Sequence, residues 1–274
     1  MTAPITFLHL TDLHVSDPAL SDPGLVSDTV ATLETVIAMV NAMQPQPAFV
    51  AISGDLTNRG EEQSYRLLRA MLERIEAPLV LALGNHDTRP GFYRGMLDRE
   101  GDPLEPYCHE AVHAGIHVVT LDSSIPGKVS GAITPDQFEF LASALDNHPE
   151  LPKLLMIHHP PALDEHTDLG WESIGWRDTL ALAEALEGRN VIGILSGHIH
   201  VARVAHWNGV PVCVGPGQHN AVDILHKGGL RIVEGAGFAL CTLRPSGLTV
   251  SFVPVEPGRR ELALHSYERL RGLV

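Results

Sequence analysis

Short runs dominated by apolar residues recur along the chain, at residues 5–10, 49–52, 79–83, 154–157 and 191–195. Each is too short for a helix and largely lacks polar alternation, the pattern of a strand covered on both faces. Between them the apolar positions change to helical spacing. Leu25, Val26, Val30, Leu33, Ile37 and Val40 predict a helix over 22–43, which Pro45 and Pro47 end. Tyr65, Leu68 and Leu72 predict a second over 61–75, and Pro78 opens the next strand. Thr134 reads as the N-cap of a helix reaching about 145, with Pro135 in its first turn. Residues 177–186 read as another, and shorter strands fall near Cys108 and Val118. Beyond His200 the texture changes to short strands at 201–206, 210–214, 238–243 and 248–253. Asn208-Gly209 and Ser246-Gly247 separate them as hairpin turns, so this part reads as mostly antiparallel. The pattern is that of a mixed α/β (α+β) protein. With no tandem repeat, low-complexity tract or flexible linker, one domain is expected over 1–255, followed by a tail over 256–274.

Of the 274 residues 44% are hydrophobic and 19% charged, enough to bury a substantial core. The formal net charge of −14 disfavours a nucleic-acid partner, which would need a basic face. It leaves an anionic small substrate open, because bound metal ions would set the local field. Cys108, Cys213 and Cys241 are widely spaced with no CxxC pair and read as buried, reduced thiols. The N-terminal residues lack a signal-peptide pattern and no apolar run reaches membrane-spanning length, so a soluble, cytoplasmic protein without a membrane partner is expected.

Immediately after the five apolar runs come Asp12-Leu13-His14, Gly54-Asp55-Leu56-Thr57, Gly84-Asn85-His86-Asp87, His158-His159-Pro160 and Gly197-His198-Ile199-His200. Ligand crevices of such sheets lie beyond the strands' carboxyl ends, so all five segments can meet. On extended backbone residues i and i+2 face one way, which pairs Asp12 with His14 and His198 with His200. The glycines allow sharp turns and close approach. Carboxylates, one amide and several imidazoles are a hard-to-borderline donor set suited to two ions of Fe, Mn, Zn or Co. Two divalent ions bring four positive charges; Asp12, Asp55 and a bridging hydroxide remove three. The remaining single positive charge suits a phosphodiester monoanion, and neutral Asn85 helps preserve it. An ion pair roughly 3.5–4 Å apart would activate water and clamp an in-line displacement.

The ordered set DxH, GDxx, GNHD, a later His-x-Pro and GHxH resembles that of the calcineurin-like metallophosphoesterases, from Leu8 to about His219. Thr11-Asp12-Leu13-His14 and His158-His159-Pro160-Pro161 are most similar to class III cyclic-nucleotide phosphodiesterases and bacterial glycerophosphodiesterases. The resemblance implies a four-layer α-β-β-α sandwich with the site at one edge. It implies one metal on Asp12, His14 and His200, a second on Asn85, His158 and His198, and Asp55 bridging both. His158 is chosen over His159 on the family's spacing. His86 would meet the substrate phosphate beside Asn85, as a charge stabiliser or general acid, with Asp87 orienting its ring; a turn cap is the competing reading of Asp87. His219, in Gly215-Pro216-Gly217-Gln218-His219-Asn220, resembles a family histidine near the phosphate, and a surface-loop position is equally open.

Arg59 reads as a solvated or salt-bridged residue before a phosphate contact. Trp171 and Trp176, flanking the segment 168–176, read as core packing before a substrate wall. The tail combines Arg259, Arg260, Arg269 and Arg271 with Leu262, Leu264, Leu270 and Leu273, and is either a dimer arm or a solvated segment. A homo-oligomer, dimer or higher, is expected. The function implied is metal-dependent hydrolysis of small phosphodiesters, 3′,5′-cyclic nucleotides first and glycerophosphodiesters second. A phosphomonoesterase, or a non-catalytic metal-binding scaffold, is the alternative.

Overall fold

The computed structural model describes residues 3–102, 104–165, 170–256 and 260–271. Arg259 and Leu273 of the tail, and residues 168 and 169 of the tryptophan segment, lie outside the described residues. The chain runs through β1 (Ile5–Leu10), α1 (Thr29–Asn41), β2 (Val50–Ser53), α2 (Glu62–Leu72), β3 (Leu79–Ala82) and α3 (Arg89–Gly95). It continues through β4 (His109–His113), β5 (Ile116–Leu121), α4 (Pro135–Asp146), β6 (Lys153–Ile157), α5 (Trp176–Leu186) and β7 (Val191–Ser196). Then come β8 (Arg203–Trp207), β9 (Val210–Val214), β10 (Ala221–Val222), β11 (Ile232–Val233), β12 (Gly237–Arg244), β13 (Gly247–Pro254) and α6 (Tyr267–Arg271).

Two large sheets form, in the orders β13-β12-β1-β2-β3 and β4-β5-β6-β7-β9-β8, with β10 and β11 as a separate two-stranded pair. Strands β1, β2 and β3 are mutually parallel, as are β5, β6, β7 and β9. The C-terminal region is therefore less uniformly antiparallel than its turns predict, because β9 pairs parallel to β7. Three separate cores define four layers. Between the sheets lie Phe7, Phe49, Ala51 and Val80 of one and Val118, Leu154, Met156 and Leu195 of the other. The outer face of the first sheet packs Leu8, Val50 and Ile52 on Leu33, Val36 and Ile37 of α1 and Leu68 of α2. The outer face of the second packs Val119, Leu155 and Ile157 on Leu141 of α4 and Leu182 of α5. The runs look unbroken in sequence because successive side chains enter different cores, as Leu154 and Leu155 do. Each fully buried Leu, Ile or Phe contributes roughly 1.5–3 kcal/mol.

The start of one helix differs from the pattern. α1 starts at Thr29, not at 22, because the Asp28 carboxylate caps it by accepting from the Ala31 N–H at 2.9 Å. Leu25 and Val26, though at helical spacing, belong to a loop whose preceding residues Asp22, Pro23 and Gly24 line the cleft described below. α4 follows the reading, with the Thr134 hydroxyl accepting from Gln137 N–H. The three cysteines are free. No described helix is long and apolar enough to cross a membrane. α6 buries no residue, and Leu262 and Leu264 are exposed.

Candidate metal centre

The five motifs follow β1, β2, β3, β6 and β7, and the parallel strands deliver them to one edge of the sandwich. Asp12, His14, Asp55, His198 and His200 all have left-handed backbone, with φ between 46° and 73°. They are five of the nine such non-glycine residues among the described residues. This conformation costs on the order of 1–3 kcal/mol each and persists only where the surroundings impose it. Here the main chain imposes it: Asp12 N–H donates to Gly54 O at 3.0 Å and His14 N–H to Asp55 O at 2.9 Å. Gly197 N–H donates to His158 O at 2.9 Å. Gly84 and Gly197 are required for space, since a Cβ at 84 would collide with Asp55 and one at 197 with Thr11 and Asp12.

The side chains converge. Asp55 Oδ2 lies 3.6 Å from His14 Nε2 and 3.3 Å from His158 Nε2, so one carboxylate faces both halves of the cluster. Its other oxygen accepts the His86 N–H at 2.8 Å. Asp12 Oδ1 is 3.3 Å from His200 Nε2 and 4.0 Å from both His14 Nε2 and His158 Nε2. Asp12 and His158 are fully buried, and His14 nearly so.

Oxygen acceptors behind the histidines dictate which ring nitrogen carries a proton. An acceptor-only carbonyl requires an N–H opposite it. His158 Nδ1–H thus donates to Ser53 O at 2.8 Å, and His198 Nε2–H to Trp171 O at 2.6 Å. His200 Nδ1–H donates to Asn220 Oδ1 at 2.8 Å and to its main-chain O at 3.2 Å. His14 Nδ1–H donates to Asn58 Oδ1 at 2.9 Å; Asn58 Nδ2 is turned away because it donates to Asp22 Oδ2 at 2.7 Å. Each ring therefore turns its other nitrogen to the cluster, bare once any proton there is displaced. Those of His14 and His200 face each other at 3.3 Å, where a shared proton or a cation must sit between them. His158 Nε2 and Asn85 Oδ1 are buried without a hydrogen-bond partner; Asp55 lies near His158 Nε2 without hydrogen-bond alignment. Asp12, His14 and His200 form one group able to hold a cation, and Asp12, Asp55 and His158 another.

Electrostatics show the strain of this assembly without a cation. Burial depresses His14 to about 3 and His198 to about 4. Burial opposes protonation of His158 too, yet the Asp55 and Asp12 carboxylates outweigh it and push this ring up to about 9. Burial disfavours the charged forms of Asp12 and Asp55, but the adjacent histidines, chiefly His200 and His158 respectively, hold both carboxyls below the usual range.

His159 shares the cluster's neighbourhood, within 4.8 Å of His158 and His198, but both its nitrogens are satisfied. Nε2–H donates to Val129 O at 2.9 Å and Nδ1 pairs with Ser123 Oγ at 2.7 Å, leaving no bare nitrogen. His86 is exposed and its ring stands edge-on to His14 at 4.5 Å. Asn58 O accepts its Nδ1–H at 2.7 Å. The expectation that Asp87 orients that ring is corrected here. The Asp87 carboxylate accepts from Leu56, Thr57 and Gly84 N–H and from the Tyr65 hydroxyl at 2.7 Å, so it braces the two loops from behind. Burial and the Asp55 charge raise it to about 6.

A cleft of about 480 Å³ opens over the cluster and includes His14, His86, His198, His200 and His219 in its lining. His219 lies at this mouth, its ring 5.0 Å from that of His14, with Nδ1 pinned to Ser27 Oγ at 3.0 Å. Arg59 lines the cleft as well but is half-exposed and paired with Glu61 at 3.5 Å. Trp171 reaches the cleft while also packing on the second core; Trp176 opens α5 and is not part of the lining. Sequence reasoning missed Asn58, Asp22, Ser27 and Asn220 as supports. Of these only Asn58 carried a signal, as an amide just after the second motif.

The family description of calcineurin-like phosphoesterase matches residues 5–202. A cAMP/cGMP dual specificity phosphodiesterase of Mycobacterium tuberculosis is 31% identical over 257 residues, covering 92% of this chain and 80% of that protein. The glycerophosphodiester phosphodiesterase GpdQ of Enterobacter lignolyticus is 24% identical over 225 residues, covering 80% and 79%. A dimetal phosphatase from Danio rerio shares the fold, with a TM-score of 0.63 at 13% identity over 92% of this chain and 99% of that one. With its motifs in order and this fold beneath them, the chain belongs to the calcineurin-like phosphoesterase family.

Proposed function

We propose that the cluster holds two metal ions and that the protein hydrolyses small phosphodiesters, 3′,5′-cyclic nucleotides before glycerophosphodiesters. The observation that carries this reading is the convergence of bare nitrogens. His14, His158, His198 and His200 each give one nitrogen to an oxygen behind them, while His158 Nε2 and Asn85 Oδ1 are buried without partners. Buried polar atoms left without partners cost free energy unless a cation satisfies them. Asp12, His14 and His200 would hold one ion, Asn85, His158 and His198 the other, with Asp55 shared. The thiolate-free donors fit Fe, Mn, Zn or Co. When bound, such a pair polarises phosphoryl oxygens and lowers the pKa of water for in-line attack.

The protein's own groups do the rest. The acceptors Ser53 O, Trp171 O, Asn58 and Asn220 fix the ring orientations before any substrate arrives. His86, with Nδ1–H committed to Asn58 O, has only Nε2 to offer a phosphoryl or leaving-group oxygen. Asp55 holds the loop bearing His86 through the main-chain N–H. Neutral Asn85 and two carboxylates leave the loaded site with a positive excess suited to a diester monoanion. The similarity to a cAMP/cGMP phosphodiesterase over most of both chains supports the cyclic-nucleotide preference. The test is a panel of cyclic AMP, glycerophosphocholine, bis-p-nitrophenyl phosphate and p-nitrophenyl phosphate on Mn²⁺-loaded protein. Cyclic AMP is expected to give the highest kcat/KM. Faster turnover of the p-nitrophenyl monoester than of its diester at saturation would replace this reading with a phosphomonoesterase.

A further inference from the structure

The large apolar side chains of the cleft lining gather on one side. Loops of the first sheet contribute mostly polar residues, His14, Asp22, Asn58, Arg59 and His86, with Pro23 and Gly24 between them. The segments after β6, β7 and β9 contribute, beside His198, His200, His219 and Asn220, the five large apolar side chains of the lining: Trp171, Ile199, Val222, Leu230 and Ile232. Three of these five belong to one hairpin, the β10–β11 pair, which joins Val222 to Ile232 and Ala221 to Val233. Leu230 is 59% and Ile232 46% exposed, and both line the cleft. The hairpin is anchored by an Asp223–Arg231 ion pair at 3.3 Å and by Val222 N–H donating to the main-chain O of His200 at 3.3 Å.

We propose that this hairpin, with Trp171, is the specificity wall of the site, and that it receives the flat, weakly polar base of a nucleotide. The inference rests on the phosphodiesterase reading and deepens it. A diester seated on the histidine–aspartate cluster must send a substituent along the cleft, which at about 480 Å³ lies in the range of small-molecule sites. A purine covers aliphatic side chains and an indole with its apolar faces and keeps its edge atoms in water. A glycerol substituent offers hydroxyls that these side chains cannot satisfy. A choline cation is best held by several aromatic faces, and Trp171 is the one indole or phenyl ring among the described residues of the lining. Leu225 supplies an internal control: it is 82% exposed at the tip of the same hairpin but is not part of the lining.

The experiment compares calorimetric binding of AMP and of ribose 5-phosphate, which lacks the base, to the Mn²⁺-loaded protein. Native protein is expected to bind AMP ~10-fold or more tightly than ribose 5-phosphate, the order of one base stacked on an apolar platform. In Leu230→Ser/Ile232→Ser that preference collapses while ribose 5-phosphate binding is unchanged; Leu225→Ser keeps it. Both replaced side chains are exposed, so an unchanged melting temperature is expected, and Leu230→Ser alone should lose part of the preference. Equal binding of the two ligands by native protein overturns the proposal, as does an equal loss in Leu225→Ser, which would mark a general surface effect. Hydrolysis of bis-p-nitrophenyl phosphate is measured on the same preparation. If it is absent while the AMP preference stands, the phosphodiesterase reading fails and the wall survives. If it is present without an AMP preference, the wall alone fails.

Discussion

Replacing Asn58 by alanine removes the oxygen that accepts the His14 Nδ1–H at 2.9 Å and the amide that donates to Asp22 at 2.7 Å, without touching any proposed ligand. The His14 side chain is only 3% exposed, so water cannot readily replace the lost acceptor. Leaving a buried donor unsatisfied costs about 1–3 kcal/mol. At about 1.4 kcal/mol per tenfold, that is roughly a 5- to 150-fold loss if it falls wholly on the metal-bound state. Supports of this kind typically contribute 10–100-fold to metal affinity. The main-chain oxygen of residue 58 remains, so His86 keeps its orientation. Asn58→Ala should therefore weaken Mn²⁺ binding in calorimetry by ~10–100-fold at one of two sites, with a much smaller change in kcat at saturating metal. Asn58→Asp combined with Asp22→Asn keeps an acceptor for His14 and a donor–acceptor pair between residues 58 and 22, and should recover the affinity. An unchanged affinity in Asn58→Ala would refute the idea that this hydrogen bond prepares His14 for a metal.

Asp55→Ala should lose metal at both positions and nearly all activity while the fold persists, because Asp55 approaches both His14 and His158 more closely than Asp12 does; metal analysis with circular dichroism checks it, and two retained ions would show that the carboxylate is not shared. His86→Ala should keep both metals and lose ~10²–10⁴-fold in kcat, less for nitrophenyl than for alkyl leaving groups if His86 protonates the departing oxygen. Loss of a metal in that variant would make His86 a ligand instead. In the metal-free protein His158 is raised to about 9 by the Asp55 and Asp12 carboxylates against the effect of burial. Below that pH a metal must displace its proton, so Mn²⁺ affinity should rise with pH through the neutral range and level off towards 9, with proton release seen in buffers of different ionisation enthalpy. A pH-independent affinity would contradict the placement of His158 in the cluster.

The strands and their motifs were legible because two signals coincided at each: an apolar run covered on both faces, then ligand-type side chains at the turn. What was not legible depends on tertiary contacts. Leu25 and Val26 keep helical spacing, yet Asp28 caps α1 beyond them and their segment becomes a cleft rim. α3 hides behind Pro90 and Gly91, and is held to the second sheet by the buried Arg89–Asp122 ion pair at 2.8 Å. The histidine orientations depend on main-chain oxygens of Ser53 and Trp171, which carry no side-chain signal. Asp87 adjoins His86 in sequence, but its carboxylate is drawn to Tyr65 and to loop N–H groups on the other side. The β10–β11 hairpin gives only two paired residues on each strand, too few for periodicity to mark.

The central claim, that this cluster is a two-ion phosphodiesterase centre, is tested most directly by one titration. Chelator-stripped protein receives Mn²⁺ stepwise while hydrolysis of bis-p-nitrophenyl phosphate is followed. The account predicts activity rising from near zero and saturating at two equivalents per chain, consistent with Asp55 standing between two groups of bare nitrogens. Activity that survives chelation, saturates at one equivalent or never appears would contradict it.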